Sequence, residues 1–327
     1  AANDIDNQSA GNYEYDPIGN LVKDSAEGIS SIIWLANNKI GTITKTNGMV
    51  IQFTYDAQGQ RITKKVEKMV AGVLTSEIEF YLRDASGNVM ANYLLHPDSC
   101  ALYLTEQPIY GSSRLGVYAP NTDVTTNATS NRFTLIRGLR KYELSNWLGN
   151  VQVVISDKKI PICNNTQTPA YYEADVLSAK DYYPFGMTMT QRGFDGGSYK
   201  YGFNGQEIER DLNKDISTAL FWEYDTRLGM RWNQDPKQII GVSPYVINGD
   251  NPIYYTDPLG DFRTKFGAYV YKLFDGGTVH EAQSEAHKGE WYVSKRVDGG
   301  VGKKGNGKQA DGSIEINTVN ITDQIKW

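Results

Sequence analysis

Long apolar runs are missing from this chain of 327 residues. No stretch reaches the roughly 18 apolar residues that a membrane-spanning helix needs, so no membrane span is expected. Histidine is scarce: there are 3 in all, and none sits beside a Gly-x-Ser-x-Gly turn, which excludes a Ser-His-Asp hydrolase. Cysteine is scarcer still. Cys100 and Cys163 could close one disulfide, but a chain this long needs no staple, so the pair does not fix the compartment. An excess of positive charge is missing too. The balance of 33 Lys and Arg against 38 Asp and Glu gives a net charge of -5. Phosphate neutralisation takes clustered cations, so nucleic acid is not an expected partner. No charged segment followed by an apolar one opens the chain, as a secretory leader would.

What the chain has in quantity is aromatic residues and glycine: 22 Tyr, 10 Phe, 6 Trp and 32 Gly. With no amphipathic helix pattern before residue 262, that mixture implies many short strands joined by tight turns. A local unit recurs. Tyr15-Asp16-Pro17-Ile18-Gly19-Asn20 is echoed at Tyr55-Asp56 with Gly59, at Asp84 with Gly87, and more loosely at Asn146 with Gly149. In each, Asp or Asn opens a turn, the glycine three residues later supplies positive φ, and an alternating strand follows. Asn47-Gly48, between alternating segments, is a strong hairpin signal. The repeat spacing is irregular, which suits strands wound as one continuous sheet and fits a propeller poorly. These units read as wall, with no chemistry of their own.

Alternation weakens between Leu94 and Arg132, and the Asn/Thr/Ser tract 121–131 reads as a loop, as does Lys158–Thr168. Ile208–Leu212 allows a single helical turn at most. Beyond residue 261 the composition changes. Phe262–Phe274 has a helical period, Glu281–His287 suggests a second short helix, and Glu290–Arg296 and Ile314–Ile321 read as strands. Two motifs there fail on inspection. His280 and His287 are seven apart, whereas paired helical metal ligands stand four apart. Gly302 to Lys308 matches a phosphate-loop pattern, but Gln309 replaces the Ser or Thr that would ligate magnesium, and no helix pattern follows. Neither a metal nor a cofactor is expected.

The stretch that organises the rest is Trp222–Asp261. It holds two Asp-Pro pairs, Asp235-Pro236 and Asp257-Pro258, with turn formers Ser243-Pro244-Tyr245 and Asn248–Pro252 between them. Proline stiffens its own residue and the one before it, so each aspartate rides on a short rigid piece of backbone. The turns could double the segment back on itself. The order Asp225-x-Arg227-Leu228-Gly229-x-Arg231-Trp232-x-x-Asp235-Pro236, then Ser243-Pro244-Tyr245, Asn251-Pro252 and Asp257-Pro258-x-Gly260, resembles the core motif of RHS-repeat (YD-repeat) proteins. The upstream blocks Asp181–Gly186 (DYYPFG) and Tyr201–Glu207 (YGFNGQE) fit the same family, so the resemblance spans about 80 residues in order. Polymorphic bacterial toxins, Tc-toxin components and, more distantly, teneurins belong to it.

The resemblance implies a mainly β fold: a YD-repeat antiparallel sheet curling into a shell (1–170), a core domain that plugs it (171–261) and a small α+β variable segment, a toxin or its start (262–327). Members are usually much longer, so the chain looks like the C-terminal piece of a larger bacterial protein, secreted or at the cell surface. Its expected partners are its own enclosed C-terminal segment, a delivery or secretion component and an immunity protein. In the family the two core aspartates are linked to self-cleavage just after the core motif. Carried over, Asp235 and Asp257 are the catalytic pair, Arg231 their guanidinium neighbour, and Asp261–Phe262 the bond cut. The chain would then be an aspartyl protease acting once on itself. Two departures stand out: Lys237-Gln238 follow the first pair where many members have a glycine two residues on, and position 261 is Asp where many have Leu. The alternative is a structural or adhesion module with an inert Asp-Pro clasp.

Overall fold

The computed structural model describes residues 10–97, 99–125, 136–164, 168–197, 199–236, 243–253, 255–257 and 259–260, with three further strands between 278 and 320. The chain forms two compact units, residues 1–234 and 235–327. The first is built on a 15-stranded sheet. Its strands are β1 (Tyr13–Tyr15), β2 (Leu21–Asp24), β3 (Ile29–Trp34), β4 (Ile40–Lys45), β5 (Val50–Tyr55), β6 (Arg61–Val70), β7 (Val73–Arg83) and β8 (Val89–His96). They continue as β9 (Ala101–Tyr110), β10 (Arg114–Tyr118), β11 (Thr122–Asp123), β12 (Arg140–Ser145), β13 (Val151–Cys163), β14 (Pro169–Tyr182) and β15 (Thr188–Asp195). Spatial order follows chain order, except that β11 pairs back with β9. The large antiparallel sheet, and the near absence of helix among the described residues before 262, are as the sequence implies.

Strand direction alternates along this meander, so every second turn lies at the same end of the sheet. All the repeat turns fall at one end, at Asp16–Asn20, Asp56–Gln60, Asp84–Asn88 and Asn146–Asn150. The mechanism is local and identical. Asp16 Oδ1 accepts the N–H groups of Ile18 and Asn20 at 3.0 and 2.8 Å, and Asp56 Oδ1 takes those of Gln58 and Gln60 at 2.9 and 2.8 Å. Asp84 and Asn146 do the same. The glycines have φ of 87°, 80°, 88° and 82°, a region closed to most side chains. Leu35–Lys39 and Tyr183–Met187 make the same backbone turn without the Asp.

Each repeat turn is followed by a one-residue bulge. Tyr55 pairs with Arg61 but Thr54 pairs with Thr63, leaving Ile62 over; the same slip sets aside Val22, Met90 and Gln152. This explains the exposure of Ile62 and Met90, which simple alternation does not. It also puts Arg61 and Lys64, three apart, on the same buried face. Repeated bulges raise the twist of the sheet.

One face of the sheet carries the core. Leu21, Ile29, Ile32, Ile40, Ile43, Ile51, Phe53 and Val66 pack against Leu212, Ile216 and Trp232. Each such buried side chain contributes about 1.5–3 kcal/mol. The last three residues flank or belong to a second, 4-stranded sheet of β16 (Glu207–Ile208), β17 (Ile216–Thr218), β18 (Glu223–Asp225) and β19 (Met230–Arg231). The Ile208–Leu212 stretch does make one turn, with the N–H groups of Leu212 and Asn213 both donating to Glu209 O. Backbone bonds tie the two sheets: Leu21 N–H donates to Trp232 O at 2.8 Å and Val151 N–H to Gly202 O at 3.1 Å.

Three expectations change. Lys158–Cys163 is not loop but the far half of β13, paired to β14 alone; Pro161 is tolerated because only one flank of that strand is paired there. The weakly alternating stretch after Leu94 contains β9 and β10. Glu281 and His280 end a strand, β20 (Thr278–Glu281), where a helix had been expected from Glu281. That strand pairs with β21 (Trp291–Val297), and β21 with β22 (Ile314–Asn320), so the two strands expected there are present. Residues 262–274 and 282–287, where the helices were expected, lie outside the described residues. Cys100 and Cys163 are free thiols, both exposed.

The turn geometry yields a paired test. Gly149 has φ of 82° with nothing within 4 Å of a Cβ, whereas at Gly186, φ 90°, a Cβ would meet Phe203 Cγ at 2.5 Å. Gly149→Ala should therefore lose about 1–2 kcal/mol in urea denaturation, the backbone cost alone. Gly186→Ala adds a clash with a buried ring and should lose about 2 kcal/mol more.

Candidate functional site

The residues singled out by sequence fall on both units. Arg231, in β19, is buried; its Nη2 donates to Phe221 O at 2.7 Å and its guanidinium lies 5.3 Å from the Trp222 ring centroid. Asp235 opens the second unit, half-buried, with its N–H donating to Pro244 O at 2.8 Å. The first Asp-Pro pair is thereby fastened to the Ser243-Pro244-Tyr245 turn. A helical turn at Asn248–Asp250 follows, and Tyr255 N–H donates to Asn251 O at 2.9 Å. Asp257 is buried, and its Oδ1 accepts the N–H of Gly260 at 2.8 Å; Gly260 has φ of 84°. Lys237, Gln238, Asp261 and Phe262 lie outside the described residues, and with them the bond expected to be cut.

A larger polar assembly, not anticipated from the sequence, lies in the first unit where the two sheets meet. Glu209, 1% exposed, receives Arg61 Nη1 at 3.0 Å and Lys64 Nζ. Arg61 Nη2 continues to Glu223 and Thr218, each at 3.1 Å, while its guanidinium stacks 4.1 Å from the Phe53 centroid. Lys64 also reaches Asp211 at 2.5 Å. A second centre is Lys200, which meets Glu79 at 2.7 Å, Glu106 at 3.2 Å and Glu207 at 3.6 Å. Tyr81 bridges Glu79 and Glu207 with its hydroxyl. Burial opposes the charge on Lys200, but Glu207, Glu79 and Glu106 together hold it protonated, well above its ordinary range. Burial likewise works against an ionised Glu207, and Lys200, Arg61 and Lys64 outweigh it. Beside these ions lies a crevice of about 360 Å³, lined by Lys64, Glu79, Glu106, Lys141, Lys200 and Arg210 among others.

A third cluster is short of cations. Asp24, Glu27, Asp215 and Asp225 surround Arg227, which pairs with Glu27 at 2.7 Å and Asp225 at 2.8 Å. Burial, with Glu27 and Asp225 nearby, raises the Asp24 carboxyl despite bonds from Asn12 and the Glu27 N–H. Burial raises Asp215 too. Such ions could have been suspected only from the charged residues on inward-facing strand positions, and the bulge hides which positions those are. Among the described residues, no His/Cys/Asp/Glu group is arranged to hold a metal ion, and no helix is long and apolar enough to cross a membrane.

The first unit is a single antiparallel meander with one-residue bulges after each repeat turn and a small sheet packed on one face, and the solved structures it matches support an RHS-like fold. Solved structures share it. The crystal structure of TcdB2–TccC3 matches with a TM-score of 0.54 and 17% identity over 75% of this chain. A TccC3 mutant in the Photorhabdus luminescens Tc holotoxin pore gives 0.53 and 15% over 77%. TcdB2–TccC3 without its hypervariable C-terminal region gives 0.50 and 16% over 76%. The chain spans only 11–13% of the length of those chains. No family model and no curated protein matches the sequence.

Two tests address these ions. Removing one charge of a buried group strands its partners, so Glu209→Gln should cost about 3–5 kcal/mol, read by denaturant unfolding. Asp24 behaves oppositely. A carboxyl whose folded pKa is raised weakens the fold while ionised, and that stability returns as pH falls through the folded value. Asp24→Asn, which keeps the acceptor oxygen, should raise Tm at neutral pH. The gain should vanish near about pH 3, below a free carboxyl's pKa of about 3.9.

Proposed function

We propose that this chain is part of a toxin-related RHS-type shell, secreted by a bacterium, that cuts itself once between Asp261 and Phe262 and so releases residues 262–327. The observation that carries the reading is the seat of Asp257. Its buried carboxylate is anchored by the N–H of Gly260, on the turn just before the bond in question. The RHS-like fold supports the shell role.

In this scheme Asp235 and Asp257 share one proton. The ionised member takes a proton from water, which attacks the Asp261 carbonyl carbon, while the protonated member donates its own to the carbonyl oxygen. As the resulting diol collapses, the first member passes its proton to the departing Phe262 nitrogen and the second takes one back from a diol hydroxyl, leaving a carboxylic acid at Asp261. Arg231, carried over with the pair, would keep one of the two carboxylates ionised. TccC3 carries a hypervariable C-terminal region, and residues 262–327 take the corresponding place as cargo. A delivery component and an immunity protein complete the expected set of partners. A second reading has its own support, since an Asp side chain accepting the N–H three residues on is also what a plain structural clasp would do.

Intact mass measurement of purified protein separates the two. Self-cleavage predicts a fragment of 66 residues beginning at Phe262, lost in both Asp235→Asn and Asp257→Asn while both variants stay folded. An intact wild-type chain after prolonged incubation supports the clasp. A Phe262 fragment from both variants would dismiss the dyad.

A further inference from the structure

Two hairpins outgrow the sheet. β5 pairs with β6 only as far as Val50–Glu67, and β8 with β7 only as far as Leu95–Ile78, yet β6 and β7 stay paired out to Val70–Val73. Residues 68–77 therefore stand clear as a two-stranded arm, turned by Ala71 and Gly72 at positive φ. β13 and β14 repeat the device. β12 stops at Ser156 and β15 at Ser178, while β13 and β14 pair on to Cys163–Pro169. Six antiparallel steps separate β6 from β13, so both arms point off the same end, opposite the repeat turns.

The arms are apolar where they should be polar. Met69, Val70, Val73 and Leu74 are 49–64% exposed, and no charge occurs from Met69 to Leu74. On the second arm Ile160, Tyr171 and Tyr172 are exposed, and no charge occurs from Ile160 to Tyr172. Charges gather at the bases and cancel. Lys65 pairs with Glu67 at 2.7 Å and Lys68 with Glu77 at 3.6 Å, while Lys158 and Lys159 face Glu173 and Asp175 in number.

We propose that this end of the sheet is a lipid-docking surface, with the Met69–Leu74 tip of the first arm and the outer residues Ile160–Cys163 and Pro169–Tyr172 of the second entering the interfacial layer of a zwitterionic membrane. Exposed apolar side chains with no charge among them, at the ends of two projecting hairpins, suit insertion among lipid headgroups, where no matching polar partner is required. The three residue levels of the first tip reach about 10 Å at 3.3 Å per residue, the depth at which interfacial segments sit. The two tyrosines suit the headgroup level. Neutral collars call for no anionic lipid.

Flotation of the full chain with phosphatidylcholine vesicles tests this, alongside Val70→Glu, Leu74→Glu, Tyr171→Glu and Tyr172→Glu, all at exposed positions and checked for fold by circular dichroism. Wild type should float, each substitution should weaken partition by about tenfold or more, and added salt should not release the protein. A thiol dye on Cys163, with Cys100→Ser, should shift to the blue on vesicle addition. The proposal falls if wild type stays unbound, if the variants float as well as wild type, or if only anionic vesicles bind. It falls too if wild type proves a dimer by light scattering that the same substitutions dissociate, which would make the arms an interface between copies.

Discussion

Four of the turns at one end of the sheet rest on a single interaction: an Asp or Asn oxygen accepting two backbone N–H groups, with a glycine at positive φ closing the turn. The turn fixes where each strand pair begins, and the bulge after it fixes which residues face inward. What happens at the other end is free, since no repeated residue governs it. That is why the repeats are unevenly spaced: the hairpins opposite range from the tight Lys45–Met49 turn to the long arms of β6–β7 and β13–β14.

The inward face is only half hydrocarbon. Near β1–β5 it is isoleucine, packed on Leu212, Ile216 and Trp232. Further along it turns ionic, with Arg61, Lys64 and Lys200 buried against Glu209, Glu223, Glu79 and Glu207. Buried ion pairs add little net stability against a well-packed apolar alternative, but removing one partner costs heavily. The arms show the reverse imbalance, apolar side chains left outside.

In the core segment, Asp235 N–H donates to Pro244 O and Asp257 Oδ1 accepts the N–H of Gly260. The turns at Ser243-Pro244-Tyr245 and Asn248–Asn251 were legible because each is a short-range feature. Arg231 was legible as a member of the motif, but its burial under Trp222 was not.

The sequence by itself determined the class of fold and the positions of the four repeat turns, because each turn depends on contacts within about five residues. It misjudged Lys158–Cys163, where strand pairing to β14 overrode weak local propensity. Only the tertiary structure decided the ion network, whose central pair Arg61–Glu209 lies 148 residues apart. Nothing local marks such a pair, and a one-residue bulge is enough to move Lys64 from the outer face to the inner.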